Sequence, residues 1–168
     1  MPSWINIIGH KNCGKTTLII GLVEEFRRRG YKVGTIKHTG HQHELDRPGK
    51  DSQRQRLAGA NPAAIVSPSV AGLFFSADSE EGILSTIEPH YDDCDIVLVE
   101  GWKDRPGTKI EVWRSSVEKP LLALSRPAVA AVISDDTVDL PGTPVWPRND
   151  LGDIADRLLD LIEFQESK

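Results

Sequence analysis

The chain has 168 residues, 39% of them hydrophobic and 27% charged, which is enough for one globular domain with a single good core. Its net charge of −5, with no basic run longer than Arg27-Arg28-Arg29, gives no general attraction for a phosphate backbone, so nucleic acid is not an expected partner. The first residues lack the pattern of a secretory signal, no apolar run approaches the roughly 18 residues of a membrane span, and two distant cysteines make no disulfide framework. The expected setting is the cytoplasm, away from membranes.

Trp4 to Ile8 is a short apolar run that predicts a strand buried on both faces in a parallel sheet. It leads into Gly9-His10-Lys11-Asn12-Cys13-Gly14-Lys15-Thr16-Thr17, which matches G-x-x-x-x-G-K-[ST], the phosphate-binding loop. The two glycines let the backbone wrap around an anion, so that successive N–H groups point at the β-phosphate of a nucleotide. The helix behind the loop adds its partial positive charge. Lys15 reaches the β- and γ-phosphates, the Thr16 hydroxyl completes the shell of a bridging Mg²⁺, and Thr17 is left for the α-phosphate. Leu18, Leu22 and Phe26, with Ile19 and Val23 beside them, give the following helix one broad apolar face. Arg27 to Arg29 and Gly30 end it, the basic residues complementing the macrodipole.

Tyr31 to Ile36 predicts the second strand, ending at Lys37-His38. Residues 39–50 are polar and predict a mobile surface loop. Asp51 or Ser52 then caps a short helix through Gly59, anchored by Leu57, Ala58 and Ala60. Ala63 to Val66 and Val70 to Phe75, separated by Ser67-Pro68-Ser69, predict an antiparallel hairpin. Asp78 or Ser79 opens a third helix with Ile83, Leu84 and Ile87 inward, closed by Pro89. Asp95 to Gly101 reads as a buried parallel strand. Lys109 to Trp113, only eight residues further on, reads as an antiparallel or edge strand. Ala128 to Ile133 and Pro144 to Trp146 supply the last strands, and Asn149 caps a final helix carrying Leu151, Ile154, Leu158 and Ile162. This order predicts an α/β, P-loop NTPase-type three-layer fold, with a mostly parallel central sheet, an antiparallel hairpin and flanking helices, in one domain over residues 1–168.

In an open α/β sheet, ligands gather outside the carboxyl ends of the strands. Gly9, His38, Glu100 and Ser134-Asp135 therefore share one rim, whereas Asp95 lies roughly 16 Å of strand away from Glu100. Glu100, followed by Gly101, stands where a Walker B acid ends its strand. It either holds the metal, directly or through water, or orients an attacking water; the plain structural alternative is a cap on the turn at Gly101. His38, His41 and His43 with Asp46 invite a transition-metal reading, but their spacing fits no closed zinc site. A polar loop over the nucleotide is the preferred reading, with Asp46 the residue suited to approach Mg²⁺. Asp135 is placed to accept hydrogen bonds from guanine, although no N-K-x-D motif accompanies it.

Gly9 to Thr17, Ile36-Lys37-His38-Thr39, Asp46-Arg47-Pro48-Gly49-Lys50-Asp51-Ser52, Ala58-Gly59-Ala60 and Val99-Glu100-Gly101 leading to Lys109-Ile110 resemble the molybdopterin-guanine dinucleotide biosynthesis adaptor family, protein B. The resemblance spans roughly residues 4 to 165. It implies a homodimer that binds GTP with Mg²⁺, hydrolyses it slowly, and assists a molybdenum cofactor guanylyltransferase in joining GMP to a molybdopterin-bearing intermediate. Carried over by position, Gly14, Lys15 and Thr16 hold phosphate and metal, Asp46 and Glu100 flank the metal, and Lys50 and Asp51 sit in the mobile segment. ATPases of the deviant Walker class carry a lysine directly after the first glycine; here His10 stands there and Lys11 one place later, so activation of a dimer partner by that lysine is not implied. The competing class is a small phosphotransferase acting on its own acceptor, for which Arg47, Arg54, Arg56 and Arg105 are the candidate lid arginines. A metallochaperone GTPase rests only on the histidines.

Overall fold

The computed structural model describes residues 2–40, 45–126 and 128–166. In chain order the elements are β1 (Ser3–Ile8), α1 (Lys15–Arg28), β2 (Val33–Lys37), α2 (Asp51–Leu57), β3 (Ala63–Val66), β4 (Ala71–Phe74), α3 (Glu80–Ile87), β5 (Ile96–Glu100), β6 (Thr108–Val112), β7 (Val129–Ile133), β8 (Val145–Trp146) and α4 (Leu151–Glu166). They divide into two compact units, Met1–Thr39 with Tyr91–Lys168, and Gly40–His90.

The first unit carries a six-stranded sheet in the order β2-β5-β1-β6-β7-β8. Every neighbouring pair in it is parallel. That arrangement corrects the expectation for the segment from Lys109 to Trp113: β6 is an interior parallel strand, paired on one side with β1 and on the other with β7. The register explains how so short a connection serves a parallel return. Ile7 lies level with both Glu100 and Ile110, and Ile5 with both Leu98 and Thr108. The chain leaving Glu100 therefore drops only two rungs while stepping across β1, a displacement of about 12 Å. Residues 101–107 span that without a helix.

Alternation along the strands sends Ile5, Ile7, Leu98, Ile110, Val112 and Ile133 to the face covered by α1 and α4, where they meet buried Leu18, Leu22, Phe26, Ile154 and Leu158. The arginines ending α1 act structurally. Arg28 and Arg29 both donate to Glu25, whose carboxyl is held down to about 2, chiefly by the hydrogen bond from Arg28 and then by that from Arg29. Arg29 also ties α1 to α4 through Asp156 and the Gly152 carbonyl.

The opposite face is covered differently beside β7. Ile8, Val129 and Val132 pack there against Trp113, Leu121, Leu122, Ala123, Leu140 and Val145, most of which lie in irregular segments. Irregular cover leaves backbone groups needing partners, and buried polar side chains of the sheet supply them. Glu111, fully buried, accepts from the N–H groups of Leu122 and Ala123 at 2.8 Å each. Asn6 donates to the carbonyls of Thr108 and Pro106, pinning the connection between β5 and β6.

In the last helix the capping residue is Asp150 rather than Asn149: its Oδ1 accepts from the N–H of Asp153, three residues on, and its carbonyl accepts from Ile154. In the second unit β3 and β4 form the expected antiparallel hairpin, Ala63 opposite Phe74. Ser79 caps α3 by accepting from Gly82 N–H. The short helix α2 departs from expectation. Its cap position is Lys50, with Asp51 already in the first turn, and its supposed anchor Leu57 is 70% exposed. What α2 buries is Ser52, whose hydroxyl donates to buried Asp46 at 3.0 Å.

Candidate functional site

The loop between β1 and α1 is shaped by two glycines. Gly9 sits at φ +143°, and a β-carbon there would strike the Val112 carbonyl oxygen and lie 2.8 Å from Cys13 Sγ. Gly9→Ala is accordingly expected to destabilise the first unit by about 1 to 3 kcal/mol; denaturant unfolding compared with wild type checks this, and an unchanged midpoint would contradict the crowding. Gly14, at φ +96°, is the N-cap of α1 and provides no side-chain cap, and no acid occupies the first turn. The leading N–H groups of a 14-residue helix can therefore serve an anion placed in the loop.

Lys15 crosses this loop. Its ammonium donates to the His10 carbonyl at 2.7 Å and lies 3.7 Å from Cys13 Sγ. Cys13 is buried and serves packing, while Lys11 and Asn12 are exposed on the rim, Asn12 with φ +66°. His10 is turned away toward the Pro120 carbonyl at 2.9 Å.

The rim rule holds for β2, β5 and β7. Glu100, Ile7 and Lys37 are level across the sheet, and the His38 N–H donates to the Glu100 carbonyl. Glu100 points to the α1 face, where Thr16 Oγ1 donates to its Oε1 at 2.9 Å and Lys37 Nζ stands 3.5 Å away. Thr16 and Glu100 thus present two hard oxygen donors side by side, the donor chemistry that Mg²⁺ accepts alongside phosphate and water. Thr17 is exposed on the same turn. Beside this pair opens a groove of about 470 Å³ walled by Ile19, Ile20, Val23 and Ile36.

Asp95 lies at the opposite end of β5, accepting from the Lys32 N–H at 2.7 Å. Gly101 follows Glu100, and a β-carbon there would come within 3.0 Å of the His38 carbonyl. His38 stacks on Trp102, ring centroids 4.5 Å apart. His41 and His43 lie outside the described residues, and among those described no group of three potential metal ligands gathers. Arg105 does not belong to this rim: its guanidinium lies over Trp4, near the start of β1.

Asp46, Lys50 and Asp51 belong to the second unit. Asp46 is 5% exposed and accepts from the Arg47 N–H and the Ser52 hydroxyl through Oδ1. Lys50 and Asp51 are exposed at the start of α2, Asp51 facing Arg54 at 3.6 Å.

Asp135, beyond β7, accepts from the Arg148 N–H at 2.8 Å, which fixes it on the rim next to the chain leaving β8. Two residues of this rim escaped the sequence reading. Arg148 donates to the Cys13 carbonyl at 2.9 Å, and Arg114, two residues beyond β6, reaches the same place. A β-carbon on Gly14 would lie 2.5 Å from Arg148 Nη2 and 3.2 Å from Arg114 Nη2. Burial, and then the nearby Arg114 charge, hold the Arg148 guanidinium below its usual range. Applying the rim rule to β6 and β8 finds both arginines; reading the segment from Lys109 to Trp113 as an antiparallel or edge strand left β6 outside that rule, and Arg114 with it.

A profile of the family described as molybdopterin guanine dinucleotide synthesis protein B matches residues 4–135. The molybdopterin-guanine dinucleotide biosynthesis adapter protein of Escherichia coli K12 is 33% identical over 156 residues, 90% of this chain and 89% of that one. Among solved structures, Bacillus subtilis MobB superposes with a TM-score of 0.72 at 25% identity, covering 95% of this chain and 98% of that one. The hydrogenase maturation factor HypB from Archaeoglobus fulgidus is similar in fold alone, with a TM-score of 0.55 at 12% identity over 95% and 88% of the two chains. The fold is that of the P-loop NTPases.

Proposed function

Because the chain belongs to the molybdopterin guanine dinucleotide synthesis protein B family, we propose that it is an adaptor that binds GTP with Mg²⁺, turns it over slowly, and assists a guanylyltransferase in attaching GMP to a molybdopterin-bearing intermediate in the cytoplasm. The observation that carries the nucleotide reading is the contact of Thr16 with Glu100 at the mouth of an uncapped helix. In this reading the loop from Gly9 to Thr17 holds the phosphates, Lys15 neutralises the β- and γ-phosphates, and Thr16 with Glu100 holds the metal. By the family resemblance alone, Asp46 would also serve the metal, and Lys50, Asp51 and Gly101 the nucleotide. Asp135 accepts from the guanine ring. The metal would supply neutralisation of phosphate charge; the residues themselves bind and orient.

We include a homodimer in this proposal. A two-stranded hairpin is marginal alone. Here Val66 and Leu73, on one face of the β3–β4 hairpin, are 78% and 47% exposed, an apolar surface for a second copy. The competing phosphotransferase reading is favoured by one feature, the groove walled by Ile19, Ile20, Val23 and Ile36, which would seat an acceptor next to Glu100.

Glu100→Gln is expected to lower Mg²⁺-dependent GTP binding or hydrolysis, and Asp95→Asn to leave both at wild-type level, since Asp95 only receives the Lys32 N–H at the far end of β5. Binding titrations with and without Mg²⁺ read the contrast. Greater damage from the Asp95 substitution would remove Glu100 from the metal.

A further inference from the structure

The triphosphate-facing side of the loop accounts for Lys15, Thr16 and Glu100, but not for the two guanidiniums over Gly14. Arg114 and Arg148 converge on one α-carbon from different strands, and no carboxylate lies within 4 Å of either guanidinium among the described residues. Two like charges repel, and among the described residues the nearest carboxylates, Asp135 and Asp136, act on them without a direct ion pair; Arg148 is half-buried as well. Their place is built. Arg148 is anchored by its N–H on Asp135 and by its Nη1 on the Cys13 carbonyl. Arg114 is followed by Ser115, whose N–H and hydroxyl both donate to Asp136, at 2.8 and 3.0 Å.

The strand order gives the direction in which a nucleotide runs across them. Thr16 and Glu100 mark the metal-bound, terminal-phosphate end, on the β5 side of β1. Arg114 and Arg148 follow β6 and β8, on the other side, as does Asp135 after β7. The backbone of a phosphate loop cradles the α- and β-phosphates, while its lysine serves the β- and γ-phosphates. Resting on the GTP-binding reading above, we infer that Arg114 and Arg148 form a two-arginine clamp on the α- and β-phosphates. They would meet the nucleoside-proximal end of the phosphate chain, remote from Glu100. Guanidiniums suit this role because their planar forks match phosphate oxygens.

This division of labour has a consequence for the chemistry. A clamp on the γ-phosphate would favour hydrolysis, as an arginine at the terminal phosphate does. A clamp on the α- and β-phosphates instead holds GTP and GDP equally, and fixes the α-phosphorus of GTP, which in a nucleotidyl transfer is attacked by an acceptor phosphate oxygen while pyrophosphate leaves.

The experiment is calorimetric titration of Mg-GTP and Mg-GDP into wild type, Lys15→Ala, Arg114→Gln, Arg148→Gln and Arg148→Lys, each first shown to melt as wild type does. Each glutamine substitution is expected to weaken GTP and GDP by the same factor, about tenfold or more. Arg148→Lys should recover part of that loss. Loss confined to GTP would overturn the α,β assignment. Unchanged affinity for both nucleotides in the glutamine variants, with Lys15→Ala impaired, would overturn the clamp while leaving the GTP reading intact. Arg148→Lys no better than Arg148→Gln, with Arg114→Gln unaffected, would mean that Arg148 only braces the Cys13 carbonyl. Failure of wild type to bind either nucleotide would remove the underlying reading and the clamp together.

Discussion

Lys15→Ala is expected to weaken GTP binding by about 1.5 to 3 kcal/mol, roughly 10- to 150-fold, the range for a hydrogen bond to a charged group. The ammonium lies 2.7 Å from the His10 carbonyl, across the turn of the loop, so it is held within the phosphate cradle and has only to exchange a carbonyl for phosphate oxygens. No buried ion pair is broken by removing it, and its alkyl stem is only half-buried, so the unfolding midpoint should shift by less than about 0.5 kcal/mol in stability. Calorimetry on the folded variant reads the result. Affinity equal to wild type would take Lys15 out of phosphate binding, and with it the assignment of the loop from Gly9 to Thr17.

The parts of this molecule that were legible in its sequence are those where local pattern and tertiary role coincide. The run from Trp4 to Ile8, the glycine-framed loop and the apolar stripe of Leu18, Leu22 and Phe26 each state their own structure, and β1, the loop and α1 follow them. Glu100 was legible because four apolar residues before it fix its strand, and the rim rule then brings it to Thr16. The direction of β6 was not, because it depends on register: Thr108 enters level with Ile5 and Leu98, a fact that no local pattern carries. Arg114 was lost with it. Helix α2 was legible as a short helix but its anchoring was not, since it is held by Ser52 donating to buried Asp46, whereas apolar anchors were sought at Leu57, Ala58 and Ala60. The shift of the last cap from Asn149 to Asp150 is the usual imprecision where two good capping residues are adjacent.

Alone, this protein is expected to turn GTP over slowly, with binding far outrunning chemistry. Fast hydrolysis needs an excluded-water site and a preorganised set of donors around the terminal phosphate. The polar segment over residues 39–50 contains a single large apolar side chain, Leu45, and that side chain is 77% exposed. With so little apolar side chain in its sequence, this segment is expected to leave the γ-phosphate wet and its attacking water poorly oriented. A partner that ordered this segment would supply the missing preorganisation, and by linkage the bound nucleotide would raise affinity for that partner by the same factor. The expected partner is the guanylyltransferase of molybdenum cofactor synthesis. The test mixes that enzyme, molybdopterin and limiting Mg-GTP with or without this chain, and measures dinucleotide formed. Stimulation by wild type that is lost with Lys15→Ala is the outcome expected of an adaptor. Rapid phosphorylation of a small acceptor by the chain alone, with the transferase unaffected, would instead assign the groove beside Glu100 to an acceptor and make the protein a phosphotransferase.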